Sequence, residues 1–205
     1  MCGRFVDPNL RNTEAEFAQT KINPMPRRFN IKPTNEVYVV KDGELVWARW
    51  GLIPVWHKGG LADWKASTIN ARIEEVSDKP TYRDAWRSGR CLIPAGGYFE
   101  WTGDRTPKQP HLFTAPEPDQ TMWFAGLVSR WQDMLTCTIM TRAANAHVEP
   151  IHDRMPVILN VSERTAWLGG SQDREIGAGA AVFHHPVRPF GIKDEGAALL
   201  ESSAD

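Results

Sequence analysis

Between Arg90 and Arg142 the chain passes through five segments of strand character, at 90–94, 97–102, 110–115, 121–129 and 135–142, with no helical pattern between them. Connections this short cannot hold the crossover that parallel neighbours require, so these strands are expected to pair antiparallel. Upstream, Glu36–Lys41 and Glu44–Trp50 flank Asp42-Gly43, a strong signal for a two-residue hairpin turn. Gly3 to Val6 and Arg154 to Leu159 read as further strands, and the Pro- and Gly-rich stretches 23–34 and 51–67 as loops. Helices are short. Thr13-x-x-Glu16 is a capping-box pattern for one through about Thr20, two more are expected at about 74–78 and 81–88, and Ser162 caps one that stops at Gly169-Gly170. No strand–helix–strand alternation with a phosphate loop, no internal repeat and no domain linker is present. The fold class is therefore α+β, a single domain of mixed, mostly antiparallel β-sheet curled toward a barrel with short peripheral helices. It spans residues 1–190, and 191–205 read as a weakly ordered C-terminal tail.

Composition narrows the function classes. At 205 residues the chain can bury a substantial core. It has no secretory apolar segment and no run long enough to span a membrane, so a cytoplasmic protein is expected, associated with the nucleoid when on DNA or nuclear in a eukaryote. Cys2, Cys91 and Cys137 are widely spaced with no C-x-x-C, which argues against a disulfide framework or a zinc site; no metal and no cofactor are expected. Net charge is −1, but residues 1–110 carry +4 and residues 111–205 carry −5. A basic half on a near-neutral protein fits a focused anionic site better than non-specific coating of nucleic acid. Nine tryptophans are too many for ligand contacts alone; most must be core, leaving one or two to stack on bases.

The chemistry concentrates at the start. Cys2 stands directly behind Met1. Once Met1 is removed, the chain begins with an α-amine and a thiol on one residue, a pair that attacks an aldehyde twice: nitrogen gives an imine, then sulfur closes a thiazolidine. An α-amino pKa near 7.7–8.0 leaves a useful neutral fraction at neutral pH, unlike a lysine at about 10.4. Three other segments stand out. Asn70 and Arg72 alternate with small apolar residues, so both point to one side. In Gly97-Tyr98-Phe99-Glu100-Trp101 the same period sets Phe99 and Trp101 on one face and Tyr98 with Glu100 on the other; that carboxylate is either partly desolvated by its aromatic flanks, with a raised pKa that suits acid/base work, or an edge-strand Glu facing water. His152-Asp153-Arg154 puts a general acid/base beside a carboxylate that fixes its tautomer and a guanidinium suited to phosphate.

Four motifs in order, Met1-Cys2-Gly3-Arg4-Phe5, Ile69-Asn70-Ala71-Arg72-Ile73-Glu74, Cys91-Leu92-Ile93-Pro94 to Gly97-Tyr98-Phe99-Glu100-Trp101, and Ile151-His152-Asp153-Arg154-Met155-Pro156-Val157, closely resemble the SRAP family of SOS-response-associated peptidase, or abasic-site processing, proteins. The resemblance implies an abasic-site sensor in single-stranded DNA that forms a covalent cross-link. It implies Cys2 as nucleophile, Asn70 holding the sugar or the Cys2 backbone, Glu100 moving protons, and His152 protonating the sugar oxygen as the ring opens. Arg4, Arg72 and Arg154 are implied as phosphate contacts, and Trp56 as a wedge or stacking group. The partner is single-stranded DNA with abasic sites; a monomer without an obligate protein partner or membrane is expected. After His185-Pro186-Val187 the family's Asn-rich basic segment is replaced by Arg188-Pro189-Phe190-Gly191-Ile192-Lys193-Asp194-Glu195. Two rival readings stand beside this one: a cysteine-type peptidase or autoprotease using Cys2, and a non-covalent single-stranded DNA binder. AP-lyase cleavage is a side branch of the first reading.

Overall fold

A computed structural model describes residues 2–10, 26–103 and 108–203; the helix expected over Thr13–Thr20 lies outside them. The strands are β1 (Arg4–Val6), β2 (Glu36–Lys41), β3 (Glu44–Trp50), β4 (Asn70–Arg72), β5 (Arg90–Ala95), β6 (Gly97–Thr102), β7 (Gln109–Thr114), β8 (Met122–Trp131), β9 (Met134–Ala143), β10 (Arg154–Pro156) and β11 (Phe183–Pro186). Helix α1 is Pro80–Ser88 and α2 is Val161–Leu168.

Strands β9, β3, β2, β5 and β8 form a ring, since β8 pairs with both β5 and β9. The pairings are antiparallel except β3 on β9, which makes this mixed sheet a closed five-stranded barrel. The β2–β3 hairpin turns on Asp42 and Gly43, both at positive φ (53° and 80°), as its sequence demands. Side chains alternate strictly around the ring. Val37, Val39, Ala48, Trp50, Cys91, Ile93, Phe124, Val128, Cys137 and Ile139 fill one core, while Tyr38, Val40, Leu45, Leu92, Ala125, Leu127 and Met140 face a second, under the helices. Burial on both faces explains why these strands read as near-continuous apolar runs. The interior leaves no slack at Gly126, where a Cβ would sit 2.8 Å from Ile93 Cδ1 and 2.9 Å from Cys91 Sγ.

A second, antiparallel sheet of order β1-β6-β7-β11 adds aromatics to the barrel core. Phe5 meets Trp50 edge-on at 5.1 Å, and Tyr98 stacks on Phe113 at 4.8 Å with its edge toward Phe124. The helices dock outside through a buried cation: the Arg90 guanidinium lies 3.7 Å from the Trp86 ring and 4.0 Å from that of Trp167.

Two expectations are corrected. Residues 74–78 form successive turns rather than a helix, because the chain must bend sharply between β4 and α1. The cap of α2 is Asn160, not Ser162: its Oδ1 accepts from Glu163 N at 3.0 Å, and Glu163 returns a bond to Asn160 N at 2.9 Å. Ser162 instead donates to Asn160 Oδ1. The stretch from Gly191 makes specific contacts with the segment around Asn30. Buried Asn30 donates to the Gly191 and Asp194 carbonyls (3.1 and 2.8 Å), Lys32 to Ile192 O (2.8 Å), and Phe29 N to the Glu195 carboxylate. Phe190 packs on Phe99, and Val187 bridges to Ser202. These bonds reach across the chain from the segment around Asn30, so no local periodicity announces them.

Candidate active site

The site forms where β9 runs out. Beyond the barrel its C-terminal half pairs with two three-residue strands: β4 parallel, with Arg72 opposite Thr141, and β10 antiparallel, with Arg154 opposite Ala143. The second sheet completes it from the side, β1 lying antiparallel on β6 with Arg4 opposite Phe99. Cys2, Asn70, Glu100 and His152 therefore come from four separate elements.

Cys2 is fully buried, its Sγ 3.7 Å from the Arg4 carbonyl. Burial, and secondarily the charge of Glu100, push its thiol well above the ordinary cysteine value, so at neutral pH it is protonated. Asn70 Nδ2 donates to the Cys2 carbonyl at 2.9 Å, which ties the first residues of the chain to β4. Tyr82 on α1 fixes that strand in turn, its hydroxyl donating to Asn70 O at 3.1 Å.

Glu100 is 3 % exposed, and burial raises its carboxyl to about 7, so it exchanges a proton near neutrality. His152 Nε2 lies 3.7 Å from Glu100 Oε2. On its other side, Nδ1 has two neighbours, the backbone N–H of Arg154 at 3.0 Å and Asp153 Oδ1 at 2.9 Å. The neutral ring accepts from Arg154 and presents its Nε2 proton toward Glu100; the protonated ring pairs with Asp153. Burial lowers the His152 pKa and favours the neutral form.

The arginines differ in their surroundings. Arg72 is largely exposed, 3.8 Å from Glu75. Arg4 lies over Trp101 (4.9 Å) and Phe190 (5.3 Å) and reaches Gly191 O at 3.4 Å. Arg154 forms a two-pronged ion pair with Glu74, both prongs 2.8 Å, and Glu74 also accepts from Ala143 N at 3.2 Å. One carboxylate thus links the turn after β4 to the ends of β9 and β10. The motif around Asn70 includes Glu74, but nothing in its spacing identified Arg154 as its partner; only strand pairing on β9 does that.

Trp56 is 46 % exposed beside Trp64, its indole N–H directed at Pro80 O (3.3 Å). A recess of about 220 Å³ lined by Asn70, Arg72, Lys79 and Tyr82 opens at the base of α1. A larger hollow of about 550 Å³ by Trp47 and Trp131 shares no residue with the site, and the chemistry gives it no part. Among the described residues no three His, Cys, Asp or Glu side chains group as a metal site, and no helix is long and apolar enough to cross a membrane.

The arrangement combines a buried thiol at the chain's second residue, a carboxylate that titrates near neutrality, a histidine with defined partners in both protonation states, and an amide that holds the nucleophile's backbone. It is equipped for addition to an electrophilic carbon with proton transfer. A family model described as SOS response associated peptidase (SRAP) matches residues 1–188. Abasic site processing protein YoqW of Bacillus subtilis is 35 % identical over 185 residues, covering 82 % of this chain and 80 % of that one. Abasic site processing protein YedK of Escherichia coli is 30 % identical over 228 residues, covering 98 % and 99 %. A crystal structure of a Bacteroides thetaiotaomicron protein has a TM-score of 0.82 at 21 % identity, covering 98 % and 100 % of the two chains, and shares the fold.

Proposed function

Because the chain belongs to the SRAP family, we propose that it is an abasic-site sensor in single-stranded DNA that traps the lesion covalently through Cys2. Removal of Met1 frees the Cys2 α-amine. His152 protonates the sugar oxygen as the ring opens, exposing the aldehyde. The amine adds to the aldehyde carbon, the oxygen leaves as water, and an imine forms. The Cys2 thiol gives its proton to Glu100 while sulfur bonds to the imine carbon, and the C=N electron pair goes to nitrogen, which takes that proton back from Glu100. The product is a thiazolidine, and only one water is lost overall. Sulfur capture diverts the imine from the β-elimination that would cut the strand. Asn70 holds the Cys2 backbone in place throughout. Arg4 and Arg72 contact phosphates from the open side, Arg154 joins them by exchanging Glu74 for a phosphate, and Trp56 stacks on a base flanking the gap.

The observation that carries this reading is the convergence of Cys2, Asn70, Glu100 and His152 from four elements, with Glu100 tuned to about 7. The names of the curated relatives agree with an abasic substrate. Intact-mass measurement after mixing the protein with a single-stranded oligonucleotide bearing one abasic site tests it. The expected species is protein without Met1 plus oligonucleotide minus one water, absent with Cys2→Ala and with an unmodified strand. If protein lacking Met1 gives no adduct, the covalent reading fails. Equal binding to intact and abasic strands would then favour a simple binder, and cleavage of peptides dependent on Cys2 a peptidase.

A further inference from the structure

Tyr98 has no exposed surface, and among the described residues its hydroxyl has no hydrogen-bond partner. A buried, unpaired hydroxyl costs about 1–3 kcal/mol of desolvation, so phenylalanine would be the more stabilising residue there. The ring is immobilised by its stack on Phe113 and its edge contact with Phe124. It lies on β6 two residues before Glu100, and alternation along the strand turns both to the same face. Tyr98 and Cys2 also share one apolar cluster. A second orphan is Asn70 Oδ1, on the amide whose nitrogen binds the Cys2 carbonyl. One unpaired acceptor thus belongs to a residue bonded to Cys2, and one unpaired donor lies close enough to feel the Cys2 charge.

We propose that Tyr98 is a further catalytic residue, whose hydroxyl donates a hydrogen bond to the sugar's aldehyde oxygen as the amine adds. This rests on the reaction proposed above. As the N–C bond forms, the C=O electron pair moves onto that oxygen, and a fixed donor stabilises the developing charge as an oxyanion hole does. The phenol keeps its own proton; the oxygen later leaves as water with protons supplied by the amine and by Glu100. Burial, with Cys2 and Glu100 nearby, holds the phenol well above its ordinary pKa, which suits a hydrogen-bond donor rather than a proton donor. Asn70 Oδ1 complements it by accepting from a sugar hydroxyl.

The test is Tyr98→Phe, which deletes one oxygen and leaves the ring packing intact. The rate of adduct formation with an abasic strand is expected to fall by about a hundredfold to a thousandfold. Binding to an intact strand should stay the same, and the melting temperature should be equal or higher. An unchanged rate overturns the proposal, making the hydroxyl a tolerated packing defect. A lowered melting temperature also overturns it, since the hydroxyl would then be bonded within the protein. Wild-type protein run alongside separates the two levels: if it forms no adduct, the covalent reaction itself is wrong, whereas parity between wild type and variant removes only Tyr98.

Discussion

The barrel and its rim are built on opposite terms. Around the barrel, β8 and β9 run ten residues each and pair along most of their length, and alternate side chains fill two cores. At the rim, β1, β4 and β10 are three residues long, and side-chain bonds supplement their short ladders: Asn70 to the Cys2 carbonyl, Tyr82 to Asn70 O, Arg154 to Glu74. Long ladders and two cores hold the first region redundantly; the second leans more on a few single bonds. Fold and chemistry should therefore respond separately to mutation, and the variants that damage stability most are not those that damage cross-linking most.

Trp50→Ala should cost the most stability. It empties a fully buried indole site in the barrel core and deletes the bond from Nε1 to Ile69 O, so urea unfolding should report a loss of about 3–5 kcal/mol. A loss below about 2 kcal/mol would mean that the two regions are less distinct than their packing implies. Glu100→Gln should act in the opposite direction on stability. A carboxyl raised by burial from 4.5 to about 7 binds its proton more tightly in the folded state. Wild-type stability therefore falls as pH rises from about 4.5 through about 7, and the variant is spared this. At pH 8 it should be more stable by roughly 3 kcal/mol. Its cross-linking should be slow, and its rate should lack the rise through pH 7 expected of wild type. Retention of that rise would move the proton transfer to another group.

Asn70→Ala should be milder for the fold, about 1 kcal/mol by thermal melting, because one hydrogen bond is lost. The adduct rate should nevertheless drop at least tenfold, since the residue that carries the amine is no longer tied to β4. Equal, small losses in both measurements would show the bond to be incidental. Trp56→Ala, exposed at the far edge of the rim, should change stability by less than about 0.5 kcal/mol. It should weaken single-strand binding by about 1–3 kcal/mol in a titration at fixed salt, and no change would release Trp56 from stacking.

The same division decided what could be read in advance. Asp42-Gly43 specified its hairpin residue for residue, and the alternation in Gly97–Trp101 separated Tyr98 and Glu100 from Phe99 and Trp101. Those signals are local and periodic. The barrel's closure was legible only as a tendency to curl, because it depends on β8 meeting β9 and β5 at once. At the rim, residue types showed through but their partners did not. Glu74 and Arg154 are far apart in sequence, and only their neighbours' pairing on β9 brings them together. The turns at 74–78 carry a helix-like composition that the bend toward α1 overrides, and Gly191–Glu195 has neither periodicity nor an apolar run, so its anchoring on Asn30 left no local trace.

Cys2 has no accessible surface and keeps its proton. Alkylating reagents and peroxides consume cysteines through exposed thiolates, so this one is shielded while it waits. In the reaction proposed above its proton is taken locally, by a Glu100 that is itself buried and close enough for its charge to raise the Cys2 pKa. Such storage exchanges intrinsic reactivity for shelf life: the thiol survives in a milieu full of small electrophiles and oxidants, and its selectivity comes from who gains entry. A lesion defined by a missing base offers little to recognise, which makes controlled access the more useful filter.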